Sequence, residues 1–303
     1  WQVRTAEGTV NACAVVLAVE SQRSLEELDR AVAIVWSGLA ASTIGEDLFR
    51  VAVVWIAADQ IGNAAGYVNA AQYGAMLAIG LLGASTFDRW RADRAMMGAK
   101  YASAVLALLP VVGSYVWGVS IPLLVLAVMG LAGLRMIFTP ALQSAVPVLV
   151  KDRDALQAIN GLFDATWRLA RLIGPVMAAV LNTILPVIHF LSVTAVGFVL
   201  SGLAVWAARD RLIDPGHRPR SDRGGWRGTV DALLDGIRLL VREPVMGILL
   251  LANAIANGPW SVALQLCIAL MVKEHDPSLF GFHGLASLGL IVGATGMGDV
   301  IGN

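Results

Sequence analysis

From residue 31 onward the chain is a series of apolar stretches, each about as long as a bilayer is thick. Eight can be marked: 31–58, 66–87, 95–116, 119–148, 156–182, 186–208, 244–271 and 281–302. A bilayer-spanning helix needs about 20 mostly apolar residues, because hydrocarbon offers the backbone no hydrogen bonds and the segment has to satisfy its own. The runs are continuous rather than alternating, so helices are expected and a barrel is not. Charges and Pro/Gly clusters separate them: Asp59 to Gly66, Asp88 to Arg94, Lys151 to Asp154, Asn182 to Pro186, Arg209 to Pro244 and Lys273 to Gly281. Apolar residues make up 57% of the chain and charged residues 15%, against roughly 45–50% and 25% in a soluble domain. A larger core does not account for this excess, since a soluble surface still has to be covered with polar groups. The expected fold class is therefore an all-α membrane protein.

Net charge names no partner, because 22 basic and 22 acidic residues cancel. That balance excludes nucleic-acid binding by overall basicity, and the apolar content excludes a disordered chain. The placement of charge says more. With alternate connections assigned to one side, seventeen Lys and Arg residues fall on the side of the N-terminal tail and only Lys273 on the other. Arg50, Arg135, Arg168 and Arg171 lie inside stretches. Such a split is a positive-inside signature. It predicts a multi-pass protein of the cell (cytoplasmic) membrane with a cytoplasmic N-terminus.

The chain opens on Trp1, and residues 1–30 read as an N-terminal extension. Six stretches follow over 31–208. Residues 209–243 form a basic linker and then a helical repeat, with Val230, Leu233, Leu234, Ile237, Leu240 and Val241 on one face and Asp231, Asp235, Arg238 and Arg242 between them. This predicts an amphipathic helix along the cytoplasmic membrane face. Residues 244–303 hold the last two stretches. The two cysteines, Cys13 and Cys267, each stand alone among apolar residues and read as small buried hydrophobes.

A charge inside a bilayer costs about 2.5–3.5 kcal/mol at the helix centre on insertion scales, so each needs a partner or a wet cavity. The first stretch carries Glu46, Asp47 and Arg50. Glu46 and Arg50 are four apart and share a face, so they can pair. Asp47 lies about 100° round the helix, with no local partner expected. Arg135 stands alone in the fourth stretch. These four form the candidate substrate and proton pathway, with a carboxylate able to take up a proton. The bland alternative for each is an ion pair that only fixes helix packing. In the fifth stretch Asn160, Asp164, Arg168 and Arg171 make a polar face on which Asp164 and Arg168 can pair, as a gate or as a headgroup-level stripe. Ala170, Gly174 and Ala178 recur every four residues beside Pro175, a pattern that lets helix backbones approach closely. Gly293, Gly296, Gly298 and Gly302 are read in the same way, as close packing rather than a nucleotide loop. No GxxxxGK[ST], HExxH or GxSxG occurs and the histidines lack ligand spacing, so no enzyme activity, cofactor or metal is expected.

Three segments together resemble the major facilitator superfamily, in particular its bacterial drug and siderophore exporters. GASTFDRWRADRAM (83–96) is similar to the family's loop with an Asp-Arg pair followed by basic residues, with Ala84 and Arg91 where glycines are usual. FTPALQSAVPVLVKDRDALQAIN (138–160) resembles the end of the fourth helix and the loop beyond it. RLARLIGPVMAAVL (168–181) is similar to the antiporter motif, keeping Gly174-Pro175 and replacing a glycine pair by Ala178-Ala179. TVDALLDGIRLLVREP (229–244) resembles the helix leading into the second half. The family has twelve spans in two six-helix halves. The resemblance thus implies a complete N-terminal half at 31–208 and an incomplete start of the C-terminal half at 244–303. It implies proton-coupled export of a small molecule by alternating access. Asp88, Arg89 and Arg94, with Asp164 and Arg168, would form a cytoplasmic gate. Ala170, Gly174, Pro175 and Ala178 would seal the contact between halves. The expected partners are a small-molecule substrate, protons and the lipid bilayer. Two alternatives stay open: a non-transporting membrane protein (a sensor or assembly subunit) and an inactive transporter fragment.

Overall fold

The computed structural model describes residues 2–5, 8–11, 30–87, 91–149, 153–212, 234, 238, 242–262, 266–279 and 281–301. A two-stranded antiparallel hairpin, β1 (Gln2–Thr5) and β2 (Gly8–Asn11), lies in the N-terminal extension. Apart from that hairpin and one isolated bridge (Leu279 with Phe282), the described elements are helical. They are α1 (Arg30–Ile61), α2 (Gly66–Phe87), α3 (Ala92–Trp117), α4 (Ile121–Leu149), α5 (Arg153–Leu181), α6 (Phe190–Leu212), α7 (Pro244–Val262), α8 (Ile268–His275) and α9 (Leu285–Ile301). The first six match the first six apolar stretches closely, because length and hydropathy are local properties. Within the seventh stretch, residues 263–265 lie outside the described residues. α7 ends at Val262, and a short π-turn at Leu266 and Cys267 leads into α8. Cys267 is exposed rather than buried as its apolar surroundings suggested, and Cys13 lies outside the described residues. The amphipathic helix expected near 230–242 also lies outside them, apart from helical Leu234, Arg238 and Arg242.

Among the described residues, three helices are long and apolar enough to cross a membrane: Ala92–Trp117, Ile121–Pro147 and Val187–Asp210. Their outward side chains are apolar, with Val105, Val112, Leu126, Leu203 and Trp206 exposed. A water-soluble bundle would cover such faces; in lipid they are already in a matching solvent. α1 has 32 residues, about 48 Å at 1.5 Å per residue. Its charges, not its length, set it apart from those three.

Helix contacts follow the small residues. α1 packs along α6 and across α5, α3 lies between α4 and α6, α2 lies on α4, and α9 lies on α5. A Cβ on Gly38 would meet Ala204 Cβ at 2.5 Å, and one on Gly197 would meet the Ala41 carbonyl oxygen at 2.8 Å, so glycine lets α1 and α6 touch at backbone distance. The Thr194 hydroxyl donates to the Gly45 carbonyl oxygen at 2.8 Å across the same seam. Close backbone approach and interhelical hydrogen bonds bind helices where lipid tails remove the hydrophobic incentive.

The buried apolar side chains form two clusters stacked along the bundle. One takes in Leu48, Phe49, Ala52 and Val53 of α1, Ala104, Ala107 and Val111 of α3, Leu124, Ala127 and Val128 of α4 and Phe190, Leu191, Ala195 and Phe198 of α6; the other takes in Val32, Val35, Leu39, Met96, Ala99, Phe138, Leu142, Ala145, Val146, Val205, Ala208 and Leu212. The level between them carries Glu46, Asp47, Lys100, Ser103 and Arg135. α9 closes over α5 by glycine. A Cβ on Gly289 would fall 2.3 Å from the Pro175 oxygen, and one on Gly296 would fall 2.9 Å from the Arg171 oxygen, whereas Gly298 has nothing within 4 Å. Close packing at Gly293 and Gly296 is thus as expected; Gly298 takes no part, and Gly302 lies outside the described residues.

Gly296→Leu should therefore cost about 1–3 kcal/mol by overpacking against α5 backbone. Gly298→Leu should leave the melting temperature in detergent unchanged or slightly raised. Equal effects of the two would contradict the glycine contact between α5 and α9.

Candidate functional site

One turn of α1 places Glu46, Asp47 and Arg50 at the level between the two apolar clusters. The Arg50 guanidinium pairs with Asp47, three residues earlier, and not with Glu46 as the four-residue spacing suggested. Glu46 is drawn the other way. Its Oε1 accepts a hydrogen bond from Lys100 Nζ of α3 at 3.1 Å, and its Oε2 lies 3.8 Å from Arg135 Nη1 of α4. Two points follow: Asp47 has a local partner, against expectation, and Arg135, the one charged residue of α4 as read from the sequence, has its partner on α1. The reason is the same for both. The side chain of Lys100 is 4% exposed, and a buried ammonium claims the carboxylate it can reach. The faces of Phe138 and Phe198, 4.0 and 5.1 Å from the ammonium, add cation–π attraction on its remaining sides.

Lys100 is the residue that sequence reasoning missed. It was counted with the basic loop between the second and third stretches, yet it lies two turns inside α3. The signal was available, since a lysine within an apolar stretch needs a partner. Removing it from the loop changes the charge asymmetry by one residue.

These side chains face a cavity of about 680 Å³. Glu46, Asp47, Arg50, Lys100, Arg135 and Arg171 supply its charges, and Thr43, Gln72, Tyr73, Thr139 and Gln143 its neutral polar groups. Met76, Met136, Phe138, Trp167, Leu288 and Val292 give it apolar walls. A deeper recess of about 60 Å³ shares Glu46, Arg50, Lys100 and Arg135 and adds Asn69 and Ser103. All four residues expected on the substrate and proton pathway thus line one space, and it reaches α9.

Of the expected gate residues, the described ones, Arg94, Asp164 and Arg168, are not among its lining. Asp88 and Arg89 lie outside the described residues. Arg94 is exposed on the first turn of α3, next to buried Asp93, which Arg91 grips with two hydrogen bonds of 3.1 Å. Arg168 Nε donates to Asp164 at 2.8 Å along the exposed side of α5, as the spacing predicted. Further along α5, Ala170, Gly174, Pro175 and Ala178 are buried. A Cβ on Gly174 would sit 2.6 Å from Asp47 Cβ and 3.2 Å from Leu48 N. The small-residue face of α5 therefore seats α1 at Asp47 itself, while α9 rests on neighbouring positions of the same helix.

Glu46→Gln leaves Lys100 buried without its counter-ion and should destabilise the protein by about 3 kcal/mol, the low end for breaking a buried pair, since Glu46 is partly wet. Glu46→Gln combined with Lys100→Met should recover most of that loss in an unfolding titration in mixed micelles. A Glu46→Gln variant as stable as the parent chain would show that Lys100 does not depend on this carboxylate.

No protein-family model and no curated protein matches the chain.

Proposed function

We propose that the chain is a secondary transporter of the major facilitator type, a proton-coupled exporter of drugs, siderophores or other small molecules that works by alternating access. The observation that carries this reading is the cavity. Charged side chains from α1, α3, α4 and α5 converge on one space of about 680 Å³, within the range of small-molecule sites, and the last helix contributes Leu288, Val292 and Gly296 to its wall. A sensor or assembly subunit has no use for such a space and would do better with a dry core. Intramembrane ions aimed at a wet cavity are the usual mark of a substrate or proton path.

In this reading residues 31–208 form the N-terminal six-helix half, 209–243 the cytoplasmic linker, and 244–303 the start of the C-terminal half. The basic connections hold the N-terminus in the cytoplasm of a multi-pass protein of the cell membrane. Contact of α9 with α5 through Gly289, Gly293 and Gly296 supports the sealing role of Gly174 and Pro175, because it brings a second-half helix onto that stretch of α5. Asp47 is the coupling carboxylate. It is buried against α5, paired with Arg50 and open to the cavity, so a proton arriving there releases a guanidinium and changes how α1 and α5 hold one another. Asp88, Arg89 and Arg94 serve the cytoplasmic gate.

Asp47→Asn should abolish proton-driven substrate flux in proteoliposomes while leaving substrate binding within about tenfold of the parent value. Undiminished flux on an imposed pH gradient would remove Asp47 from the coupling step.

A further inference from the structure

We infer that Asn69 is a recognition residue for the substrate, and that the recess it lines takes a neutral group with a hydrogen-bond donor and an acceptor side by side, such as a carboxamide or a urea. This deepens the transporter reading and rests on it for the claim that the ligand is carried. Asn69 stands on α2 and is 8% exposed. Among the described residues, none donates to its side-chain amide or accepts from it. A buried amide is ordinarily satisfied, because burying it unpaired costs free energy. No unpartnered side-chain nitrogen or oxygen among the described residues is fully enclosed, so the Asn69 amide keeps some open surface. The recess of about 60 Å³ is where that surface opens.

The surroundings limit what can meet it. Apart from the side chains it shares with the main cavity, the recess is walled by apolar groups, among them Phe49, Val53, Val128 and Phe198. Ser103 is the one other polar group in that part of its described lining. The Ser103 hydroxyl donates to the Ala99 carbonyl oxygen at 2.7 Å, which leaves it only acceptor capacity. The ions at the mouth are held by one another, Lys100 and Arg135 by Glu46 and Arg50 by Asp47. Recognition inside the recess therefore falls to neutral hydrogen bonds. The Asn69 carboxamide has donor hydrogens on its nitrogen and an accepting oxygen, so its complement is a group with both functions adjacent. A water needs roughly 10–15 Å³, so the recess has room for about four non-hydrogen atoms, the size of such a group. Gln72 and Met76 line both spaces, so a molecule can set its polar tip at Asn69 and its body in the main cavity.

The test uses the 303-residue chain in phosphatidylcholine nanodiscs. The probes are naphthalene-2-carboxamide and 2-acetylnaphthalene, both neutral and of like shape, of which only the first has N–H donors. Calorimetry should show the carboxamide binding at least about tenfold more tightly, the worth of one hydrogen bond. Asn69→Leu should remove that preference. Asn69→Ala should do the same, which separates loss of the amide from crowding by leucine. Without probe, Asn69→Leu should melt at or above the parent temperature, since no hydrogen bond within the protein is lost. Loss of the fold in both variants makes Asn69 a structural residue and overturns the inference. Equal affinity for the two probes, or binding of neither, means a recess filled by water only and overturns it too. Unchanged preference in the folded variants overturns the role of Asn69. Probe-induced proton movement in proteoliposomes, read with an internal pH dye, separates the two readings. Carboxamide binding without a proton signal leaves the recess site standing and sinks the transporter. A proton signal equal for both probes and unchanged by Asn69→Leu keeps the transporter and sinks the recess site.

Discussion

A lysine inside an apolar helix is tolerable only beside a counter-ion, and the placement of Lys100 against Glu46 organises the middle of the bundle. The pair joins α3 to α1, and Arg135 brings α4 to the same carboxylate. The rings of Phe138 and Phe198 then close around the ammonium from α4 and α6. Four helices are in this way fixed at one level by a single buried charge. Above and below that level the core is apolar and interchangeable in kind; at it, each residue is specified by its partner. Buried ionic groups contribute little net stability compared with well-packed apolar residues of similar volume. Their retention here goes with the cavity they face, where water and ligand can reach the ions that the apolar layers cannot accommodate.

The glycine contacts do a second job, setting which helices lie at backbone distance. α1 and α6 meet through Gly38, Gly45 and Gly197 along a long seam, with the Thr194 hydroxyl bonded across it. α5 meets α1 through Gly174 and meets α9 through the glycines of α9.

What could be read from the sequence divides into local properties and partners. Local properties were legible: six helices from the length and hydropathy of their runs, the Asp164–Arg168 pair from its spacing, and glycine packing in the last helix from its composition. Partners from other helices were not. Spacing along α1 favoured Glu46 with Arg50, yet the outcome was decided by Lys100, 54 residues away, which alternation of loops had placed in solvent. Asp47 gained Arg50 as a consequence. Arg135 was recognisable as an unsupported charge, but neither its partner nor its exposure to a cavity could come from one helix alone.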